Sequence, residues 1–362
     1  KTTAGFVRTA LEQRAVQGLE REYGLDVKPG DLVRTLSIGA QQRVEILRAL
    51  SQNISTLVLD EPTAVLTPAE TERFFEVVRG FAARGLAVVL ISHHLNEVLK
   101  VADEVTVLRR GSRVAHHPIH EGDARRLATL IVGEETEDLT DVPIGVPHAP
   151  VLEVEGLTVV NRYGKRVVDE VDLTVFGGEI VGVLGIAGNG QTELVEAITG
   201  LRLPLGGEIR VCGVEMTAAP VSERRAAGMA HVPEDRIGRG MCGLWSVENN
   251  IAIGFLGGNE LGGWVVDRKA KVRLIADLMS EFDVRASSPK QLSRRLSGGN
   301  AQKMVLAREM SRQPTVIVCA EPSRGLDIAA TDFVRRRLVD GRDRGAGILL
   351  VSSELSEVLQ IA

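Results

Sequence analysis

The 362 residues are enough for two domains with cores of their own, and 44% apolar with 25% charged residues excludes the disordered and collagen-like classes. A net charge of −5 supplies no overall basic field for nucleic acid. No apolar run approaches the ~18 residues that span a bilayer, and Lys1 to Ala4 lead into a charged helical stretch instead of a signal peptide.

In chain order, the first motif is Leu36-Ser37-Ile38-Gly39-Ala40. An apolar strand, Leu57 to Leu59, then ends in Asp60-Glu61-Pro62-Thr63, and a second, Val88 to Ile91, ends in Ser92-His93. Residues 134–150 turn acidic and then proline-rich, at Pro143, Pro147 and Pro150, and read as a short linker. From Val151 the alternation of Leu152, Val154 and Leu157 predicts a strand, and Arg162-Tyr163-Gly164-Lys165 follows.

Gly178 to Leu184 reads as a strand, Gly185 to Thr192 as a glycine-rich loop, and Leu194, Val195 and Ile198 as one face of a helix that Gly200 terminates. Strand, glycine loop and helix together form a phosphate cradle, in which backbone N–H groups and the helix N-terminus face the anion. Such loops carry a lysine where this one has Gln191, so a point charge toward the outer phosphates is missing, whereas Thr192 keeps a hydroxyl for Mg²⁺. Farther on come His231 to Arg236, the motif Leu296-Ser297-Gly298-Gly299-Asn300-Ala301-Gln302-Lys303 opening a helix, a buried strand Val316 to Cys319 ending in Ala320-Glu321-Pro322, and Gly325-Leu326-Asp327. Cys212, Cys242 and Cys319 show neither metal spacing nor a paired framework, so reduced thiols packed in the interior are expected.

The chain repeats itself. Leu36 maps onto Leu296, an offset of 260 residues that also carries Glu61-Pro62 onto Glu321-Pro322, Arg84-Gly85 onto Arg344-Gly345, and Leu95, Glu97, Val98 and Leu99 onto Leu355, Glu357, Val358 and Leu359. The expected organisation is a first copy over 1–133, a linker over 134–150 and a second copy over 151–362. At the same offset the loop at Gly185 maps to a place before Lys1, and the second copy stops at the counterpart of Ala102, so both ends read as cut.

Phosphate loop, signature, Walker B strand, D-loop and switch region, in this order and spacing, resemble the nucleotide-binding domains of ABC transporters over essentially the whole chain. The resemblance implies an α/β fold: two P-loop NTPase domains in tandem, each a mainly parallel sheet with helices and a helical signature subdomain. It implies ATP and Mg²⁺ as cofactors, with Asp60 supporting the metal, Glu61 polarising the attacking water and His93 contacting the γ-phosphate. In the second copy Gly185, Gly188, Asn189, Gly190, Gln191, Thr192 and Glu193 form the phosphate loop, Thr192 reaching the metal. Glu234 stands where many relatives have the Q-loop glutamine, Glu321 at the water-polarising position and Ser353 at that of His93. Tyr163 sits where the family stacks an aromatic on adenine, although a surface tyrosine in a hairpin fits the same residues.

ABC domains pair head to tail, so by resemblance Ser297, Gly298, Gly299 and Asn300 face the absent first-copy loop, and the Gln191 loop faces the drifted signature with Ser37 and Gly39. That places hydrolysis with Asp60, Glu61 and His93, and leaves these 362 residues alone without ATPase activity. Fused cassettes with a lysine-free second loop resemble the ATP-binding subunits of bacterial simple-sugar and nucleoside importers, and the segments Gly188 to Leu194 and His231 to Arg236 resemble the nucleoside branch. The partners implied are membrane permeases docking on Glu234 to Leu292, with Trp245, Phe255 and Trp264 as contacts or as core, and indirectly an extracytoplasmic substrate-binding protein. The implied location is the cytoplasmic face of the membrane, peripheral and without insertion. The alternative is a soluble tandem ABC ATPase acting on ribosomes or nucleic acid, though its long charged inter-domain helix is missing here.

Overall fold

The structure is a computed structural model that describes all residues except 1–12, 15, 19, 21–24, 26, 34–35, 37, 53, 64–65, 67, 93–94, 110, 120–123, 133–144, 162, 186–187, 257–260 and 262–266. Two compact units divide it, Lys1–Thr136 and Glu137–Ala362. Ser37, His93 and Trp264 lie outside the described residues.

In the first unit the order is helix α1 (Ile38–Leu50), strand β1 (Thr56–Asp60), helix α2 (Pro68–Ala83), strand β2 (Ala87–Ile91), helix α3 (Leu95–Val101), the hairpin β3 (Glu104–Arg109) and β4 (Ser112–Pro118), and helix α4 (Ala124–Val132). Strands β1 and β2 pair in parallel, Thr56 opposite Ala87. Phe74, Phe75, Val78 and Phe81 recur at helical spacing on α2 and bury one face of β1, through Leu57 and Leu59, together with Ile46, Leu47 and Leu50 of α1.

The second unit opens with two long antiparallel strands, β5 (Pro150–Val160) and β6 (Arg166–Phe176). Strand β7 (Ile180–Leu184), helix α5 (Gln191–Ile198), strands β8 (Gly206–Val211) and β9 (Val214–Glu215), helix α6 (Val221–Ala226) and strand β10 (Met229–Val232) follow. Helices α7 (Val247–Ala252), α8 (Arg268–Glu281) and α9 (Gly298–Met310) lead to strand β11 (Val316–Ala320), helix α10 (Ile328–Asp343), strand β12 (Gly347–Ser352) and helix α11 (Leu355–Ile361). The central sheet is parallel in the order β10-β11-β12-β7, and an antiparallel sheet runs β6-β5-β8-β9. One core lies between the two sheets and buries Leu152, Leu157, Ile198, Val318 and Leu349. The other, on the opposite face, joins the parallel sheet to α7, α8, α9 and α10 through Ile251, Ile275, Val305, Ile317 and Val334. Buried on both faces, β11 and β12 read as continuous apolar runs for that reason.

Strands β1 and β2, helices α1, α2 and α3 start 260 residues before β11, β12, α9, α10 and α11, and Thr56–Ala87 pairing becomes Val316–Gly347 pairing. Residues 145–149 belong to the second unit and bond to its turn at Gly177: the His148 N–H donates to the Gly177 carbonyl at 2.8 Å and the Gly177 N–H to the Ala149 carbonyl at 3.0 Å. The expectation of interior cysteines holds for Cys319, whose thiol burial pushes far up, while Cys212 and Cys242 are exposed on turns that the sequence did not mark. Phe255 belongs to the core and Trp245 is half-exposed.

Candidate nucleotide-binding site

Helix α5 begins where the glycine loop ends. Its first intrahelical bond is from the Leu194 N–H to the Gly190 carbonyl, and no side chain caps the helix, so the N–H groups of Gln191, Thr192 and Glu193 have no helical partner. Gly188 and Gly190 both sit at φ +96, a conformation side-chain-bearing residues avoid. At Gly190 a Cβ would also meet the Val167 carbonyl oxygen at 2.1 Å, so only glycine lets the loop close against β6. Free helical donors, two left-handed glycines and exposed Asn189 and Thr192 fit a polyphosphate.

Gln191 changes the cradle. Its side-chain amide folds back over Gly185, where a Cβ would lie 2.7 Å from Nε2, and that buried nitrogen has no hydrogen-bond partner. An orphaned buried donor is costly, and a phosphate oxygen would supply the acceptor it lacks. Tyr163 stands 77% exposed on the β5–β6 hairpin, where the Asn161 side chain accepts from the Tyr163 and Lys165 N–H groups. Among the described residues no group of three or more His, Cys, Asp or Glu side chains forms a metal cage. Mg²⁺ at a phosphate site takes one or two protein oxygens and substrate oxygens, which Thr192 in the second copy and Asp60 in the first fit.

The glutamates that follow the two Walker B strands share a conformation. Glu61 has φ +46 and Glu321 φ +47, rare for residues with a side chain. The Glu61 N–H donates to the Ile91 carbonyl at 2.9 Å and the Glu321 N–H to the Val351 carbonyl at 2.8 Å, again one offset apart. Asp60 stands exposed at the end of β1, and its counterpart Ala320 is buried. The Glu321 carboxylate accepts the Ser353 N–H at 2.8 Å, and burial raises its pKa against that bond.

Glu234 is tied to Arg324 at 2.6 Å, beside the D-loop turn. Arg236 donates to the Arg324 carbonyl at 2.6 Å and the Gly325 carbonyl at 3.2 Å, and lies 3.0 Å from where a Gly298 Cβ would stand, which closes the signature turn onto the D-loop turn. Ser297 caps α9: its hydroxyl accepts the Asn300 N–H, and Asn300 Nδ2 donates to it at 2.9 Å. Gly299 packs on Ala330 of α10. Gly39 lies in the first turn of α1, and Ser37, just before it, is outside the described residues.

The residues thus fall into four groups. The second unit assembles Gly185 to Glu193 as one cradle, Glu321 with Ser353 as a second cluster, and Glu234 with Arg324, Arg236 and the signature turn as a third. The first unit brings Asp60 and Glu61 together at the end of β1.

The sequence reading missed a cavity of about 490 Å³ behind the edge strand β10, lined by Glu196, Arg225, His231, Arg239, Arg308 and Glu309 among others. Glu196 holds Arg202 and Arg239, and Glu309 holds Arg225 and Arg308, each carboxylate between two guanidinium groups. Burial depresses His231 to about 4, with Arg225, Arg239 and Arg308 acting in the same direction and Glu309 against them. Arg224, 1% exposed, donates to the Ala197 and Ile198 carbonyls at the end of α5 and to those of Thr217 and Ala219.

A parallel sheet with a glycine cradle at the mouth of strand β7, an acidic residue at the end of the next strand but one and a serine-capped glycine helix define a P-loop nucleotide-binding domain. Residues 7–64 and 168–324 match the ABC transporter family. The chain belongs to that family and is an ABC-type ATPase. It is 37% identical over 361 residues to the nucleoside import ATP-binding protein NupA of Lactococcus lactis subsp. cremoris, covering 97% of this chain and 69% of that protein. It is 35% identical to the guanosine import ATP-binding protein NupO of Bacillus subtilis, over 96% of this chain and 68% of that one, and 37% identical to the ribose import ATP-binding protein RbsA of Corynebacterium glutamicum, over 99% and 67%. The chain therefore spans about two thirds of the length of these curated relatives. A dimeric ATP-binding cassette in a post-hydrolysis state with ADP and Pi shares the fold at 17% identity, with a TM-score of 0.50 over 57% of this chain and 89% of that one. Among the described residues no helix is long and apolar enough to cross a membrane.

Proposed function

We propose that the full-length protein is the ATP-hydrolysing subunit of an importer, driving uptake of nucleosides or simple sugars through separate permeases at the cytoplasmic face of the membrane. The carrying observation is the difference between two copies of one active-site frame. The first keeps Asp60 beside Glu61; the second keeps Glu321 but has Ala320 for the aspartate and an uncharged Gln191 in its phosphate loop. Losing charge-assisted contacts at ~1.5–3 kcal/mol each slows phosphoryl transfer by orders of magnitude. The first copy hydrolyses, and the second chiefly holds ATP and Mg²⁺ through the α5 N–H groups and Thr192.

Each residue has a defined task in that reading. The N–H groups of Gln191 to Glu193 neutralise phosphate charge, the Gln191 amide finds an acceptor, and Tyr163 offers a face to the base. Glu61, fixed by its backbone bond to Ile91, orients a water for attack, with His93 and Asp60 completing the first copy's set. The permease docks on the second unit along residues 234–292, where Trp245 is an exposed aromatic among the described residues. An extracytoplasmic binding protein delivers the solute.

Nucleosides are favoured by the segments Gly188 to Leu194 and His231 to Arg236, whereas overall identity is alike to nucleoside and ribose relatives. The test is uptake of labelled uridine and ribose by cells with and without the full-length gene. Loss of uridine uptake alone supports the nucleoside reading, loss of ribose uptake alone moves the substrate to sugars, and no loss of either counts against the importer.

A further inference from the structure

A non-glycine residue at positive φ costs about 1–3 kcal/mol and persists only where its surroundings over-determine it. Glu61 and Glu321 are both in that state, so something must hold each turn. Three elements hold the first. The Ile91 carbonyl on β2 accepts the Glu61 N–H, Gln42 on α1 donates its amide to the Pro62 carbonyl at 2.6 Å, and the Thr63 hydroxyl donates to Glu97 Oε2 on α3 at 2.5 Å. Thr63 is buried, and a buried hydroxyl without a partner would be penalised, so the last bond is required as well as short. It differs from the other two in what it joins: the bond ties the turn after Glu61 to α3, the helix that in the sequence comes just after Ser92-His93.

The second copy carries the same residue types but bonds them differently: Glu357 accepts from Ser352, not from the counterpart of Thr63, and its Oε1 has no hydrogen-bond partner among the described residues. Ser323 replaces Thr63 and is buried; Glu357 replaces Glu97 and is 1% exposed. Ser352 Oγ donates to Glu357 Oε2 at 2.7 Å and accepts the Glu354 N–H at 3.1 Å. The Ser323 and Ser352 hydroxyls face a carboxyl that burial pushes up. A hydroxyl two residues after the strained glutamate and a carboxylate 36 residues after it thus recur in a copy that has lost its aspartate and histidine.

We propose that Glu97 is a positioning residue for ATP hydrolysis: through the Thr63 hydroxyl it latches the turn carrying Glu61 to α3, and Glu357 is its counterpart in the second copy, held there by Ser352. The inference rests on the ATPase reading above. Because Glu97 acts through the Thr63 hydroxyl, its loss is expected to lower turnover and leave nucleotide affinity alone.

The experiment measures ATP turnover of the full-length protein and of its Glu61→Gln, Glu97→Leu, Thr63→Val and Thr63→Ser variants, with thermal midpoints alongside. Glu97→Leu and Thr63→Val are expected to lower kcat about 10- to 100-fold, the effect of one charge-assisted hydrogen bond, with KM for ATP unchanged within twofold. Thr63→Ser, which installs the second copy's own residue, retains wild-type turnover. Wild-type kcat in Glu97→Leu, a loss confined to KM, or equal losses in Thr63→Ser and Thr63→Val would overturn the latch. If Glu97→Leu does not fold, the two Thr63 variants decide. If the wild type and Glu61→Gln hydrolyse ATP equally slowly, the ATPase reading fails. The latch is then judged by hydrogen exchange over residues 61–66, which must quicken in Thr63→Val and not in Thr63→Ser.

Discussion

Strands β1 and β11 occupy the same place in the repeat, yet β1 leaves every second residue exposed and β11 exposes none. Val58 is 60% exposed and its counterpart Val318 0%. Both strands have one face packed on helices; the second face of β11 is covered by the antiparallel sheet and α5, which have no counterpart among the described residues of the first unit. Val89 and Ile91 of β2 are exposed on the same account, whereas Leu349 and Val351 are buried. A strand's own sequence therefore records the burial it requires, and the neighbouring layers decide whether it is met. In the reading proposed above, the contrast between the copies extends from packing to chemistry.

The largest effect that would break the comparison is catalytic. In the full-length protein Glu61→Gln is expected to lower ATP turnover by ~10²–10⁴-fold, the value of a working general base, while Glu321→Gln changes it little because Gln191 and Ala320 have already weakened that copy. Turnover rates for the two variants measured side by side decide it; equal losses would mean two equivalent frames.

Next in size is a pH effect confined to the second unit. His231 is held at about 4 in the fold against about 6.5 unfolded, so between those values the unfolded chain binds the extra proton. Stability is complete above about pH 6.5 and is lost as pH falls, by about 3 kcal/mol at pH 4. Glu321 and Glu357, both raised by burial, act in the opposite direction, since the fold takes up their protons first. The difference between denaturation curves of wild type and His231→Gln isolates the histidine, and a pH-independent difference would refute it.

The smallest effect concerns the strands themselves. Val318→Ala is expected to destabilise by about 2 kcal/mol, and Val58→Ala by less than about 0.5 kcal/mol in a chain of these residues. Hydrogen exchange of the peptides spanning β11 and β1 reads each locally. A cost at Val58 equal to that at Val318 would show its exposed face to be covered in solution.

Much of this was legible in the sequence. The shared offset marked the paired motifs because strand ends and helix starts carry residue types chosen for backbone reasons as well as chemistry: glycine at 188 and 190, serine at the cap of α9. Gln191 and Ala320 stood out against that frame. The left-handed glutamates did not, since their conformation is set by the carbonyls of Ile91 and Val351, far away in the chain. Arg224 looked like one more surface charge in Ser222-Glu223-Arg224-Arg225, and nothing local tells which of two adjacent arginines turns inward. The cavity escaped for the same reason, being assembled from five separate stretches. One signal was present and unread: Thr63 with Glu97 and Ser323 with Glu357 obey the repeat, and a hydroxyl and a carboxylate retained together in both copies mark a contact.

Helix α5 has two working ends. Its first turn forms the phosphate cradle, its last turn supplies Glu196 to the cavity wall, and Arg224 bolts its final carbonyls to residues 217–219. At 1.5 Å per residue the eight residues form a strut about 12 Å long. Short and clamped at the far end, it is built like a push-rod: in the reading proposed above, a displacement at the phosphate tip would reach the cavity wall at the other.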